Sequence, residues 1–533
     1  MPQIIPDYYP NKLVNRLFYF LLILHIIPLF FGKYFITQDG PSHLKNAMIL
    51  KDLLLDPNSI YHQYFSINHT PNPNWFVHIF YAIFLLVLPP FLAEKIFFLA
   101  YVILLPLSFR YLVRQINTKS TFAVLLIFPF VYNITFYLGF FNFCFSIIFF
   151  FFALGFWIKH KGIFKVKTQL IFTLLITLIY FSHPVSFVIS GLLIFALIIS
   201  FSYFDFRNHK TSFPFLLQRI IALSIGFFPM IIFFLIFLGG SQSETMFGNR
   251  NGLTYTVQFF ENYVLSYLGK TDIFLNTVLI ISLLSLFIYR LLLNYKSKKW
   301  NAFDVLILFY FLFSILIYFS PEEFAGGSVI LIRLVLYGNI ILIIWLAAQV
   351  FTPRINTYMA VYFTLITITF LCFRLYHFME DQNKLADIIS VENNITEGKI
   401  ILPFTITNNP NPEEPIDTVR DIDINVFQHV SSYISIDRKL VCLENYEAGS
   451  HYFPLFWKPE KDPSAFFSES GDSFSDEAFI NYARISGTWP DYVLLLGDVE
   501  LMKKGTVLIS ELNNHFDLIK KSEDKYAWLF KKR

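Results

Sequence analysis

Charge is what this chain has least of. Only 15% of its 533 residues are Asp, Glu, Lys or Arg, where a soluble protein carries about a quarter. That scarcity excludes an ordinary water-soluble fold for most of the length. Cysteine is also scarce. Cys144, Cys372 and Cys442 are scattered, two of them in apolar runs, so neither a disulfide framework nor a thiolate metal site is available. No small-residue cleavage site follows the first apolar run, Leu17–Phe31, and further runs come after it. The first run therefore reads as a retained helix and not a removed leader. There is no repeat of fixed period, and no matched pair of Gly/Pro-broken helices of the kind that marks carriers built from inverted halves.

What the chain has instead is apolar surface. Hydrophobic residues make up 55% of it, with 67 Phe and 30 Tyr. They cluster in runs long enough to cross ~30 Å of hydrocarbon, which takes about 20 residues. Twelve such segments fall between residues 15 and 375. The charge divides at the same place: residues 1–375 carry +13 and residues 376–533 carry −10. This predicts a polytopic α-helical membrane domain over 1–375 and an extramembrane α/β domain over 376–533. The basic connections are Lys159–Lys161 with Lys165 and Lys167, Arg207–Lys210, Lys296–Lys299 and Arg354. The positive-inside rule places them in the cytoplasm. The N-terminus is then inside, and Asp39 and the acidic tail are outside. That arrangement demands an odd number of spans, within a range of 11 to 13. Two full crossings between Trp75 and Leu112 would put Arg110 and Arg114 on the wrong side, so the segments around Pro89-Pro90 carry the conflict.

In the tail, Lys399–Thr407, Leu440–Glu444, Tyr492–Leu496 and Thr506–Ile509 read as short strands. Asp476–Ile485 reads as a helix, Asn408–Pro415 as a loop, and Phe516–Lys520 with Tyr526–Lys531 as a closing hairpin.

The stretch around which the rest is organised is Gln38-Asp39-Gly40-Pro41-Ser42-His43, just beyond the first apolar run. Gly40 permits a sharp turn, and Pro41 suits a first helical position. The following helix, Ser42–Leu55, lies in an outer loop over 36–74. Leu44, Ala47, Met48, Leu54 and Leu55 would form an apolar stripe, opposite Lys45, Asn46 and Asp52, and such a helix would lie along the membrane interface. Asp39 and His43, four apart, can face one point. The bland alternative is that Asp39 only caps this helix.

Three further outward-facing places hold polar groups among apolar ones. The turn Tyr137–Phe143 contains Asn142. His183 ends a span in Ser182-His183-Pro184. The loop with Glu322 and Glu323 leads through Gly326-Gly327 to Arg333, inside the next run. An ionisable group within a span is functional or paired by default. For Arg333 the bland alternative is snorkelling, or pairing with Glu322 or Glu323. For His183 it is a hydrogen-bonded helix end.

Together these features resemble the GT-C superfamily of membrane glycosyltransferases, in the form of bacterial members with an Asp-Gly-Pro-x-His stretch and a Gly-Phe-x-Asn-Phe turn. The resemblance implies transfer of a sugar from a polyprenyl-phosphate donor to a glycan, lipid or protein acceptor, at the outer face of a bacterial inner membrane. It implies Asp39 as general base with His43 assisting, Arg333 and His183 on the donor phosphate, and Asn142, Glu322 and Glu323 as substrate contacts. Many members show a second acidic residue beside the first. None stands beside Asp39, so a divalent metal is left open. Partners would be the lipid-linked sugar, membrane lipids and the acceptor, with no nucleic acid. A lipid-linked-sugar flippase or transporter, and a non-catalytic scaffold for surface polysaccharide assembly, are the rival readings.

Overall fold

A computed structural model of the chain describes residues 12–117, 122–161, 165–208, 213–240, 270–319, 329–406, 425–467, 477–497, 499–501 and 507–533. Among the described residues, eight helices are long and apolar enough to cross a membrane. In chain order the helices are α1 (Lys12–Ile26), α2 (Gly40–Leu55), α3 (Phe76–Phe84), α4 (Pro90–Ile116), α5 (Ile134–Tyr137), α6 (Phe141–His160), α7 (Val166–Ser182) and α8 (Pro184–Arg207). They continue as α9 (Phe213–Gly240), α10 (Lys270–Ser297), α11 (Val305–Phe319), α12 (Ile330–Ala347) and α13 (Pro353–Ile389). The bundle face is lined by exposed Leu, Ile and Phe, such as Leu174, Phe228 and Ile281. Exposed apolar surface on this scale marks a face that contacts a membrane or another protein.

Two apolar segments do not form continuous span-length helices. Residues 75–89 give only the nine-residue α3, about 14 Å long at 1.5 Å per residue. Leu86 and Val87 follow it as exposed turn residues before Pro90 opens α4. That removes one of the two crossings between Trp75 and Leu112. Residues 122–137 are a buried chain of 3-10 turns ending in α5. Pro129 sits in one of these turns, and Asn133 starts the next by accepting from the backbone N–H of Thr135 and Phe136. A continuous α-helix is broken at both points.

The tail is an α/β unit with a five-stranded sheet. The strands are β1 (Phe65–Ile67), β2 (Ile400–Ile406), β3 (Val441–Cys442), β4 (Leu455–Trp457), β5 (Tyr492–Gly497), β6 (Phe516–Lys521) and β7 (Ala527–Lys532). The sheet order is β3-β2-β5-β7-β6, with β2 parallel to β3 and β5 and the closing hairpin antiparallel. α14 (Ser431–Asp437), α15 (Ala478–Ser486) and α16 (Val507–His515) complete it. The run Val507-Leu508-Ile509 is helical, not a strand. Its β-branched residues suggest a strand, but Leu508 and Leu512, four apart, are the buried pair, which is the helical period. The loop expected at Asn408–Pro415 lies outside the described residues. The boundary placed after residue 375 falls inside α13, which runs unbroken from Pro353 to Ile389.

α2 is not an interfacial amphipath. Every residue from Gly40 to Leu50 is buried, Lys45 and Asn46 included, because the tail covers the face expected to be wet. The Lys45 ammonium donates to the Tyr61 hydroxyl at 2.7 Å and to the carbonyls of Ser435 and Leu440 at 2.9 and 2.7 Å. Asn46 and Asn445 exchange amide hydrogen bonds at 3.1 and 2.7 Å. β1, in the loop over 36–74, pairs antiparallel with β4 of the tail. The loop and the tail therefore share one interface tied by these polar contacts, and it frames the site.

Candidate active site

Asp39 is held by its backbone. Gln38 N–H donates to the Tyr137 carbonyl at 2.9 Å and Asp39 N–H to the Leu138 carbonyl at 3.2 Å, which presses the 137–140 turn onto the Asp39 peptide. Gly139 makes this possible. Its φ is +81°, and a Cβ there would lie 2.7 Å from the Asp39 nitrogen, a contact no side chain could relieve. The His43 ring then donates from Nε2 to the Gly139 carbonyl at 3.0 Å.

Asp39 occupies the N-cap of α2 but makes no side-chain capping bond. The bland reading of this residue therefore lacks its interaction. The carboxylate is turned instead toward the tail and is only 9% exposed, not at a water-washed rim. His429 Nε2 lies 3.6 Å from Asp39 Oδ1, and the Tyr446 hydroxyl hydrogen-bonds the carboxylate. The His429 ring stacks on Tyr446, centroids 4.9 Å apart, and its Nδ1 bonds Glu444 Oε1. Glu444 accepts in turn from Ser431 Oγ at 3.1 Å. Burial raises the Asp39 carboxyl above the ordinary aspartate range, and the His429 and His43 rings offset part of that rise. A carboxylate that prefers to hold a proton is a better base than a solvated one.

A cavity of about 450 Å³ opens beside this group. Its polar rim includes Asp39, His43, His183, Arg333, Tyr446 and Tyr452. It is also lined by Leu192, Leu312 and Leu316, which are exposed on the bundle surface. The cavity thus joins polar side chains to the apolar exterior.

Most residues singled out from sequence do meet here. Arg333, one turn into α12, is buried with its guanidinium 4.3 Å over the Phe140 ring and 5.9 Å from Phe143. His183 caps α8, accepting from Val185 N–H at Nδ1, 3.3 Å, which leaves the neutral ring's proton on Nε2. Capping and cavity lining are both true of it. Asn142 borders the cavity, yet its amide is spent on backbone: Oδ1 accepts from Val77 N–H at 3.0 Å and Nδ2 donates to the Asn74 carbonyl at 3.1 Å. It positions the start of α3. Glu322 and Glu323 lie outside the described residues.

Five residues that the sequence did not single out complete the centre: His78, His429, Glu444, Tyr446 and Glu447. Glu447 is fully buried between two rings, with His43 Nδ1 at 2.8 Å from Oε1 and His78 Nε2 at 2.6 Å from Oε2. Burial alone would raise this carboxyl, but the two rings outweigh it and hold Glu447 well below the usual carboxylate range. These three side chains converge with metal-ligating atoms within 4.8 Å of one another. His78 had a visible signal. It is an ionisable group in an apolar run, the criterion that selected Arg333.

No protein-family model matches the chain, and no curated protein matches it.

Proposed function

We propose that this protein is a membrane glycosyltransferase of the GT-C kind, moving a sugar from a polyprenyl-phosphate donor to an acceptor. One observation carries the reading: a buried carboxylate and an arginine line a cavity whose apolar lining includes side chains exposed on the bundle surface. The apolar lining suits a prenyl chain, and the polar side chains suit its phosphate. In the step, the acceptor hydroxyl gives its proton to Asp39 as its oxygen bonds the anomeric carbon. The bond from that carbon to the phosphate oxygen breaks, and the electron pair leaves on the polyprenyl phosphate. Arg333 and the Nε2–H of His183 meet the charge that develops there. Tyr446 and His429 orient the Asp39 carboxylate. A flippase would need no base beside the cavity, and a scaffold would need neither base nor cavity.

Incubating purified protein with radiolabelled polyprenyl-phosphate sugars separates these. Label on an acceptor with release of lipid phosphate is expected. Intact labelled lipid moved between leaflets, or no change at all, would overturn the transferase reading.

The bundle supports eleven crossings in this reading: the eight long helices, α7, α11 and the broken segment 122–137, with α3 not crossing. The odd count leaves the tail and Asp39 outside and the basic connections inside, in the inner membrane of a bacterium. With the exposed Cys372 replaced by serine, Asn58→Cys should react with an impermeant thiol reagent on intact cells and Lys298→Cys should not. Equal labelling would refute this orientation.

A further inference from the structure

Two imidazoles converge on one buried carboxylate at Glu447. His43 Nε2 faces the Gly139 carbonyl at 3.0 Å, so it must carry the ring's hydrogen. In the neutral ring Nδ1 then presents a lone pair to Glu447 Oε1 at 2.8 Å, and two lone pairs repel at that distance. A positive centre has to sit between or beside them. A proton on Nδ1 would do so as a buried ion pair, and so would a metal ion bound to both atoms. Both His43 Nδ1 and Glu447 Oε1 are buried with no hydrogen-bond partner among the described residues. A metal ion held by both atoms would supply the positive centre without a proton.

The third donor is present. His78 Nε2 reaches Glu447 Oε2 at 2.6 Å, and the rings of His43 and His78 stand nearly perpendicular, centroids 5.3 Å apart. All three side chains are at most 3% exposed, and the Phe453 ring packs on both imidazoles. An imidazole whose other nitrogen is tied to a backbone carbonyl is the form in which histidine usually binds metal. Two imidazoles and a carboxylate suit zinc and neighbouring first-row ions, whereas magnesium and calcium take oxygen donors.

We propose that His43, His78 and Glu447 form a binding site for a zinc-class divalent cation. The ligands come from α2, from α3 and from the tail, so one ion would pin three segments that lie up to 404 residues apart in sequence. Its role is to hold the tail against the Asp39 turn. It neutralises Glu447 without a proton and fixes the ring that grips Gly139. The inference does not depend on glycosyl transfer, and its test reads metal and stability alone.

Full-length protein purified in detergent and dialysed without added metal should carry stoichiometric zinc by elemental analysis. Stripping it with a strong chelator should lower Tm, and zinc should restore Tm where magnesium does not. His78→Ala should lose the zinc, while Asp39→Asn, outside the ligand set, should keep it. If His78→Ala does not fold, the chelation experiment on the parent protein still decides. Metal-free parent protein whose Tm ignores added zinc would overturn the site, leaving a proton-bridged ion pair. So would zinc that persists undiminished in folded His78→Ala, or equal rescue by magnesium.

Discussion

Replacing Asp39 with asparagine should lower sugar transfer by about 10²- to 10⁴-fold, the usual contribution of a general base, with Tm close to the parent's. The expectation rests on what the carboxylate does and does not touch. It makes no capping bond to α2, so the helix start owes it little. The turn onto Gly139 is made by backbone groups, which asparagine keeps. An asparagine amide can still meet Tyr446 and His429, and its volume is nearly the same. What it cannot do is accept the acceptor's proton. A residue that served only as a cap would behave in the opposite way, with activity kept and stability lost in Asp39→Ala. Turnover and melting temperature measured on both variants decide. Near-parental turnover in Asp39→Asn would end the assignment of this residue as base.

Much of this centre was legible because ionisable groups are costly beside apolar runs and therefore conspicuous in sequence. Asp39, His43, His183 and Arg333 stand out against such runs, and they line one cavity. The tail's contribution was not legible. His429, Glu444, Tyr446 and Glu447 lie in a mixed, acidic stretch where charges look like a solvated surface. Only the pairing of β1 with β4 and the packing of α14 on α2 bury them. The same cause explains the misreading of α2. Lys45 and Asn46 form a polar face by sequence, but besides Tyr61 their partners are Ser435, Leu440 and Asn445, some 390 to 399 residues away. Most apolar segments gave span-length helices, two of them running through an internal proline, Pro106 in α4 and Pro229 in α9. They did so least at 122–137, where Pro129 and Asn133 cut the run, and at 75–89, where the chain stops after nine helical residues.

Arg333→Lys is the second large effect expected, and it falls on donor binding. Arg333 lies at the start of α12, buried, its guanidinium plane packed over Phe140. A snorkelling arginine would instead carry its charged end out to the surface. Stacking on a ring suits a flat, weakly hydrated cation and fixes the direction in which its N–H fork points. That fork can meet two phosphate oxygens at once, whereas a lysine ammonium is a point charge and cannot hold the same geometry. A hydrogen bond to a charged group contributes about 1.5–3 kcal/mol, and each 1.4 kcal/mol is about tenfold in affinity. Losing one such bond should therefore weaken binding of the lipid-phosphate donor about 10- to 100-fold. The positive charge is conserved, so the change isolates geometry from net electrostatics. Acceptor affinity should stay close to the parent's, because the acceptor's hydroxyl is met at Asp39. Binding of a polyprenyl-phosphate sugar, measured by titration against parent and Arg333→Lys in the same detergent, reads the effect. Equal donor affinity in the two proteins would remove Arg333 from the phosphate site and leave it a packing residue of the Phe140 turn.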